Sequence, residues 1–438
     1  MTMTITLRRT SLAVLTLAAA ALGSSGVWAT DGYFQPGFGA RQKALGGAGV
    51  ADGRDATTTS LNPAGLVHSP NEFSMAISAF SPHRYVEGSD PNPFPGFTPG
   101  GRVESDSKLF FIPNMAWSQR VNGGIVDVIG VAMYANGGMN TDYRGVTRDL
   151  AAFNCFNPVT FAPVGNQTGV FCNGRSGVNL QQALLSVSFA KEVMPGFSVG
   201  VAPILARQQF EAEGLKAFGV GGSTDVSWGG GVKGGIEWAV MPNVRLGVAG
   251  TSPIWMQPFE KYSNLFAEQG DFDIPANLQA GVAIDLMPNL TFMADYKHIW
   301  YSQVAAINNP SINVLSAPFG ADNGPGFGWQ DIDVVKFGLE WRASEISTFR
   351  AGYSYNTSPI ESADVMFNIL APGVVQHHFS AGATYKLTEN IDIEVAGIYV
   401  PESTVSGSEL PFVGNPAHNV KIGMEQFDIT VGFKYRLD

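Results

Sequence analysis

Along most of this chain, apolar residues alternate with small or polar ones. In residues 244–249, Val244, Leu246 and Val248 fall on one side and Arg245, Gly247 and Ala249 on the other, because successive strand side chains point to opposite faces. Residues 289–302 set Phe292, Ala294, Tyr296 and Trp300 against Met293, Asp295 and Lys297. Residues 332–342 set Val335, Phe337, Leu339 and Trp341 against Lys336, Gly338 and Glu340. The next run sets Phe349, Ala351, Tyr353 and Tyr355 against Arg350, Gly352 and Ser354. The last alternates Phe427, Ile429, Val431, Phe433, Tyr435 and Leu437 with Asp428, Thr430, Lys434 and Arg436. Followed to the end, the pattern predicts about fourteen strands, starting near residues 72, 108, 124, 180, 196, 225, 243, 275, 289, 332, 347, 376, 390 and 425.

The connectors between these strands alternate in length. Short ones include Met194-Pro195-Gly196, Met241-Pro242-Asn243 and Met287-Pro288-Asn289, with the residues that tight turns require. Long ones cover about 83–107, 137–179, 211–224, 253–274, 302–331, 358–375 and 401–424. An even strand count, short turns at one end, long loops at the other and an aromatic face opposite a polar one predict a transmembrane antiparallel β-barrel of the bacterial outer membrane. A soluble β-sandwich would instead place charge on its outer face. Here the charges share the side opposite the aromatics, as with Asp295 and Lys297 or Lys336 and Glu340.

Composition points the same way. Charged residues make up 14% of the chain, against about 25% in soluble domains. Aromatics reach 11% and glycines number 52, which suits a surface facing lipid. The net charge of −11 argues against nucleic acid, which requires a basic stripe.

The first 29 residues have Arg8 and Arg9, an apolar core from Leu12 to Leu22 and a small-x-small site at Val27-Trp28-Ala29. They form a secretory signal peptide, so the exported chain is expected to begin at Thr30. No later apolar run approaches the about 20 residues of a spanning helix. Residues 30–70 show no period-2 stretch, yet include a helix-like Arg41–Ala51 and the apolar Leu61, Leu66 and Val67. A folded segment of this length ahead of the first strand can sit inside the barrel as a plug, leaving residues 71–438 for the wall.

The segment Gly37–Leu66, with its Gly-Gly-Ala-x-Val-Ala-Asp run and Asn62-Pro63-Ala64 followed by Gly65, resembles the N-terminal hatch of the FadL family of outer-membrane transporters. Residues 333–360 and 377–400 are similar to late hairpins of that family. The resemblance implies a monomer, set among outer-membrane lipid and lipopolysaccharide, that takes up hydrophobic small molecules, long-chain fatty acids first and aromatic hydrocarbons as the alternative. It implies capture by the outer loops, transfer to a tighter site near the hatch and exit sideways through the wall into the membrane. It also gives Asn62, Pro63, Ala64 and Gly65 a gating role. The chain departs from outer-membrane habit in ending on Tyr435-Arg436-Leu437-Asp438 rather than on an aromatic residue.

No catalytic constellation, metal-ligand spacing or cofactor motif stands out. The six histidines, His68, His83, His298, His377, His378 and His418, lack the spacing of a metal helix, and a Gly-x-Ser-x-Gly elbow is missing. His298 falls on an outward face without an evident serine partner, which weakens an outer-membrane lipid hydrolase. A general diffusion porin would keep its lumen open and use a folded-in loop rather than an N-terminal plug. The glycines 229–231, 234 and 235 mark places where the wall kinks or the plug comes close. Cys155 and Cys172 share one long loop, where an oxidising exterior favours a bond worth about 3 kcal/mol. Phe153, Phe156, Phe161 and Phe171 in that loop could pack together or form a landing site for an apolar ligand. Lys336 and Arg350 are candidate partners for a carboxylate head group, unless they pair with Glu340, Asp295 or hatch residues.

Overall fold

A computed structural model of the chain describes residues 31–89, 98, 100–121, 124–144, 169–171, 174–215, 219–411 and 416–437. The sequence places its apolar alternation in fourteen wall strands. They are β1 (Glu72–Gly88), β2 (Phe110–Arg120), β3 (Val128–Gly137), β4 (Gly177–Met194), β5 (Phe197–Glu213), β6 (Asp225–Met241) and β7 (Val244–Thr251). They continue as β8 (Asn277–Met287), β9 (Leu290–Ile299), β10 (Ile332–Arg342), β11 (Ser347–Asn356), β12 (His377–Lys386), β13 (Ile391–Ser408) and β14 (Asn419–Arg436). Each strand pairs antiparallel with its chain neighbours, and β14 returns to β1 from Glu72↔Arg436 to Glu87↔Lys421, closing the barrel. Closure leaves no free sheet edge, the condition for strands to cross a membrane. Two short additions, Gly101–Glu104 on β1 and Trp255–Met256 on β6, extend the wall locally.

The outward face carries Val335, Phe337, Leu339, Trp341, Phe349, Phe379, Tyr399, Phe427 and Ile429, all exposed. The inward residues between them, such as Lys336, Glu340 and Asp428, are buried. Lipid therefore replaces water as the solvent of the apolar face. Each Met-Pro-Gly or Met-Pro-Asn turn follows a one-residue register shift, at Glu192/Met194, Ala239/Met241 and Asp285/Met287. The repeated tripeptide thus marks one repeated geometry, a bulge followed by a tight turn, at the rim that carries the short connectors.

The final hairpin is longer than its hydrophobic pattern suggests. Residues expected in a loop at 401–424 instead continue β13 to Ser408 and begin β14 at Asn419. The stretch Pro401–Ser408 has no apolar face because it projects above the lipid into water, where backbone pairing from Ser403↔Met424 to Ser408↔Asn419 holds it. β1 likewise runs on to Gly88, six residues into the loop expected from 83.

Candidate functional site

Residues 31–69 fill the barrel as a plug. A short helix, α1 (Gly39–Ala44), buries Arg41, Gln42 and Lys43 together. Buried charges cost several kcal/mol each unless paired, and here the wall supplies the partners. Arg41 binds Asp52 at 2.6 Å and Glu340 of β10 at 2.9 Å. Lys43 binds Asp428 of β14 at 2.7 Å and the Ser78 hydroxyl of β1 at 2.7 Å. Asp55 receives Lys434 at 2.5 Å, and Asp31 receives Lys336 at 3.0 Å and Lys297 at 3.4 Å. The Asp295 carboxylate accepts the Gly49 and Val50 amides at 2.8 and 2.9 Å.

Asn62 joins plug to wall. Its Nδ2 donates to the Val50 carbonyl at 2.7 Å and to the Ile236 carbonyl of β6 at 3.1 Å, and its Oδ1 accepts from Ala64 N at 3.1 Å. It caps the 3-10 turn Pro63–His68, where Pro63 occupies the first position and no N–H is needed. This approach is possible because the wall is bare there. A Cβ on Gly235 would lie 2.1 Å from Asn62 Oδ1, and one on Gly200 would lie 2.4 Å from Ala64 N. Gly235 of β6 and Gly200 of β5 are therefore points at which the plug seats on the wall, whereas Gly229 and Gly231 lie against Trp255, Met256 and Ile254.

Between the plug and the wall lies a lumenal cavity bordered by Phe34, Phe38, Leu61, Tyr134, Ile254 and Ile274. Two lysines reach it, Lys233 of β6 and Lys297 of β9. Lys297 pairs with Asp31. Lys233 is 8% exposed and has no carboxylate partner among the described residues: it donates to the Ser60 carbonyl and lies 5.8 Å from the centre of the Tyr134 ring. A second cavity, of about 550 Å3, sits among the long loops and is lined by Phe171, Phe210, Leu265, Phe266, Phe319 and Phe367, with no charged side chain.

Among the described residues, the wall ladder is broken between β2 and β3. β2 pairs with β1 from Ser118 up to Phe110, whereas its ladder with β3 runs only from Arg120↔Val128 to Met115↔Met133. Beyond Met115, residues 110–114 have no partner on that side. Pro113 lies in this stretch and lacks the N–H that a ladder needs. The facing edge of β3 is met by the plug instead: Gln35 N donates to the Asn136 carbonyl at 3.0 Å, and Gly138 N donates to the Tyr33 carbonyl at 3.2 Å.

The residues singled out in the sequence are distributed unevenly. Lys336 and Arg350 are bound within the wall and plug, Lys336 to Asp31 and Arg350 to Glu340 at 2.8 Å and Thr384 at 2.6 Å. Phe171 lines the outer cavity. Phe153, Phe156, Phe161, Cys155 and Cys172 lie outside the described residues, as does the segment 1–30. Of the adjacent histidines, His377 faces outward and His378 is buried inward. Lys233 was not singled out, although a lone cation within Gly229–Gly235 on the inward side was a legible signal.

The model of the outer membrane protein transport protein family (OMPP1/FadL/TodX) matches residues 262–425. The chain is similar to this family over that stretch, 164 of its 438 residues. It is an outer-membrane protein, and the family is one of transport proteins. No curated protein matches the sequence. The fold is shared with the Pseudomonas putida toluene transporter TodX, at 15% identity and a TM-score of 0.64 over 92% of this chain and 99% of that one. It is shared with a Pseudomonas aeruginosa FadL homologue at 14% identity and 0.65, over 93% and 100%. The Ralstonia pickettii toluene transporter TbuX matches at 17% identity and 0.59, over 92% and 99%.

Proposed function

We propose that this chain carries long-chain fatty acids into the outer membrane, and that the ammonium of Lys233, which has no carboxylate partner among the described residues, receives the carboxylate. An apolar solute gains nothing from a water-filled pore, and the plug leaves none. The acid first partitions into the aromatic cavity among the outer loops. It then moves to the lumenal cavity, where a buried cation already stripped of water lies beside apolar walls. A charge-assisted hydrogen bond there is worth about 1.5–3 kcal/mol, enough to orient the chain and favour acids over hydrocarbons. From the lumen the route leads sideways through the break between β2 and β3, so the alkyl chain enters lipid without crossing water. Movement follows the gradient.

The test is binding of tetradecanoate and of toluene to purified wild type, Lys233→Met and Lys233→Arg. Lys233→Met should weaken tetradecanoate by about tenfold or more, Lys233→Arg should retain most of it, and toluene should change little. Equal tetradecanoate affinity in all three would refute the assignment. A second reading, uptake of aromatic hydrocarbons, is favoured by the uncharged lining of the outer cavity. It would be upheld by toluene binding that exceeds tetradecanoate binding in the wild type.

A further inference from the structure

Arg84, an inward residue of β1, is a buried cation whose bonds go to neutral groups. It is 5% exposed. Its guanidinium donates to the Ser107 carbonyl, ahead of β2, and to the Asn140 carbonyl, past β3. A third bond reaches Ser107 Oγ at 3.2 Å. A guanidinium carries five N–H donors, and the buried Nε of Arg84 has no partner. No carboxylate pairs with it among the described residues. Asp142, on the same edge as Asn140, is held by Arg144 and Arg175 instead. Burying a charge is destabilising unless an opposite charge offsets it, and backbone carbonyls bring none.

The Arg84 side chain borders a chamber lined by Phe80, Pro82, Met139, Trp329, Pro372 and Met424, and it is the one charged side chain there among the described residues. This chamber adjoins both cavities described above. Ala371 lines it while the preceding Leu370 lines the outer cavity. Tyr33 lines it while the following Phe34 lines the lumenal cavity. One desolvated cation among apolar walls fits an anionic head group on an apolar chain. The planar fork of a guanidinium matches a carboxylate in particular.

We propose that Arg84 is a second carboxylate receptor, holding one acid at the junction of the outer and lumenal cavities while Lys233 holds another. The inference rests on the reading of the cargo as a long-chain acid, but not on Lys233. The carboxylate takes the N–H donors that Ser107 and Asn140 leave unused, Nε first, and the alkyl chain lies against the apolar lining. Two such receptors in series give the chain room for two acids at once.

Titration calorimetry in a detergent of neutral head group counts the tetradecanoate bound by purified wild type, Arg84→Met, Arg84→Lys and Lys233→Met, with tetradecanol as the uncharged control. Wild type should bind two equivalents, and Arg84→Met and Lys233→Met one each. Arg84→Lys should keep the second equivalent within about tenfold of its wild-type affinity, and tetradecanol binding should stay as in wild type throughout. Two equivalents in Arg84→Met would overturn the proposal. Parallel loss of tetradecanoate and tetradecanol would overturn it too, by making Arg84 a strut between the two edges. Loss in Arg84→Met with Lys233→Met unchanged would sink the Lys233 assignment and uphold this one, whereas a wild type that binds no tetradecanoate would sink both. Should Arg84→Met not assemble, the wild type decides: tetradecanoate bearing a diazirine beside its carboxyl should, on irradiation, label Met139, Trp329 or Met424, and absence of label from all three would overturn the receptor.

Discussion

Replacing Asn62 with alanine should release the plug without unfolding the barrel. The side chain makes three hydrogen bonds, to the Val50 and Ile236 carbonyls and from Ala64 N, and it is 1% exposed. At about 1 kcal/mol net for each, the change costs about 3 kcal/mol. The loss falls on the seating of residues 46–66, because the wall on this side contributes only a carbonyl already within its own ladder. A shift of about 3 kcal/mol raises the population of the unseated plug by about 100-fold. Native-state hydrogen exchange resolves this: plug amides such as those of Gly49, Val50 and Ala64 should lose about two decades of protection, while amides of β9–β12 stay as they were. Uptake of tetradecanoate and toluene at equal surface expression reports the functional side. Unchanged exchange in the plug would refute the energetic reasoning, and changed exchange with unchanged uptake would reduce Asn62-Pro63-Ala64-Gly65 to a structural joint. Adding Pro63→Ala should deepen the effect by freeing φ at the start of the turn.

The purified protein should migrate faster unheated than boiled on a denaturing gel and give a β-dominated circular dichroism spectrum in detergent. Equal migration and a helical spectrum would contradict the barrel. Arg41→Met should loosen the plug by about 3 kcal/mol, at the low end for a broken buried pair, because Glu340 keeps Arg350 and Asp52 keeps Arg54 and Arg245. Faster proteolysis within residues 40–60 checks it. In the loop 252–276, burial first and then the neighbouring Asp273 and Glu268 push the Asp271 carboxyl up to about 6. A folded value raised above the ordinary one means that its stabilising contribution is complete below about pH 4 and is lost as pH rises through about 6. Exchange of amides 256–273, corrected for intrinsic rates, should therefore quicken between about pH 4 and 6, and Asp271→Asn should weaken that dependence, leaving only the part due to Asp273, whose carboxyl burial also pushes up.

The wall was largely legible because lipid on one side and plug on the other force every strand to declare two faces. Legibility failed where that pressure ends. Pro401–Ser408 stands above the lipid, so nothing in its side chains distinguishes strand from loop. The plug's place could be inferred from its missing alternation, but its partners could not, since Arg41 and Glu340 or Lys43 and Asp428 meet only after the barrel closes. Lys336 looked like a ligand cation for the same reason, since Asp31 lies 305 positions away, whereas Glu340, which holds Arg350, lies 10 positions from it and was already a candidate partner. Lys233 has no such acid among the described residues, which only the assembled lumen reveals. The break between β2 and β3 left one trace, Pro113.

The ion pairs of the plug have a consequence for biogenesis. Lys43 and Asp428 are separated by 385 positions, Asp55 and Lys434 by 379, and Arg41 and Glu340 by 299. The first segment made must therefore wait, with its charges in water, until the last strands arrive to receive them. Strand insertion and plug docking are ordered events, with docking second. A chain stopped after β12 would present Lys43 and Asp55 to a lumen lacking Asp428 and Lys434, so quality-control proteases should find its N-terminus hanging free. The seated plug is in this sense a certificate of completion: it can form only on a barrel whose final strand has closed on its first.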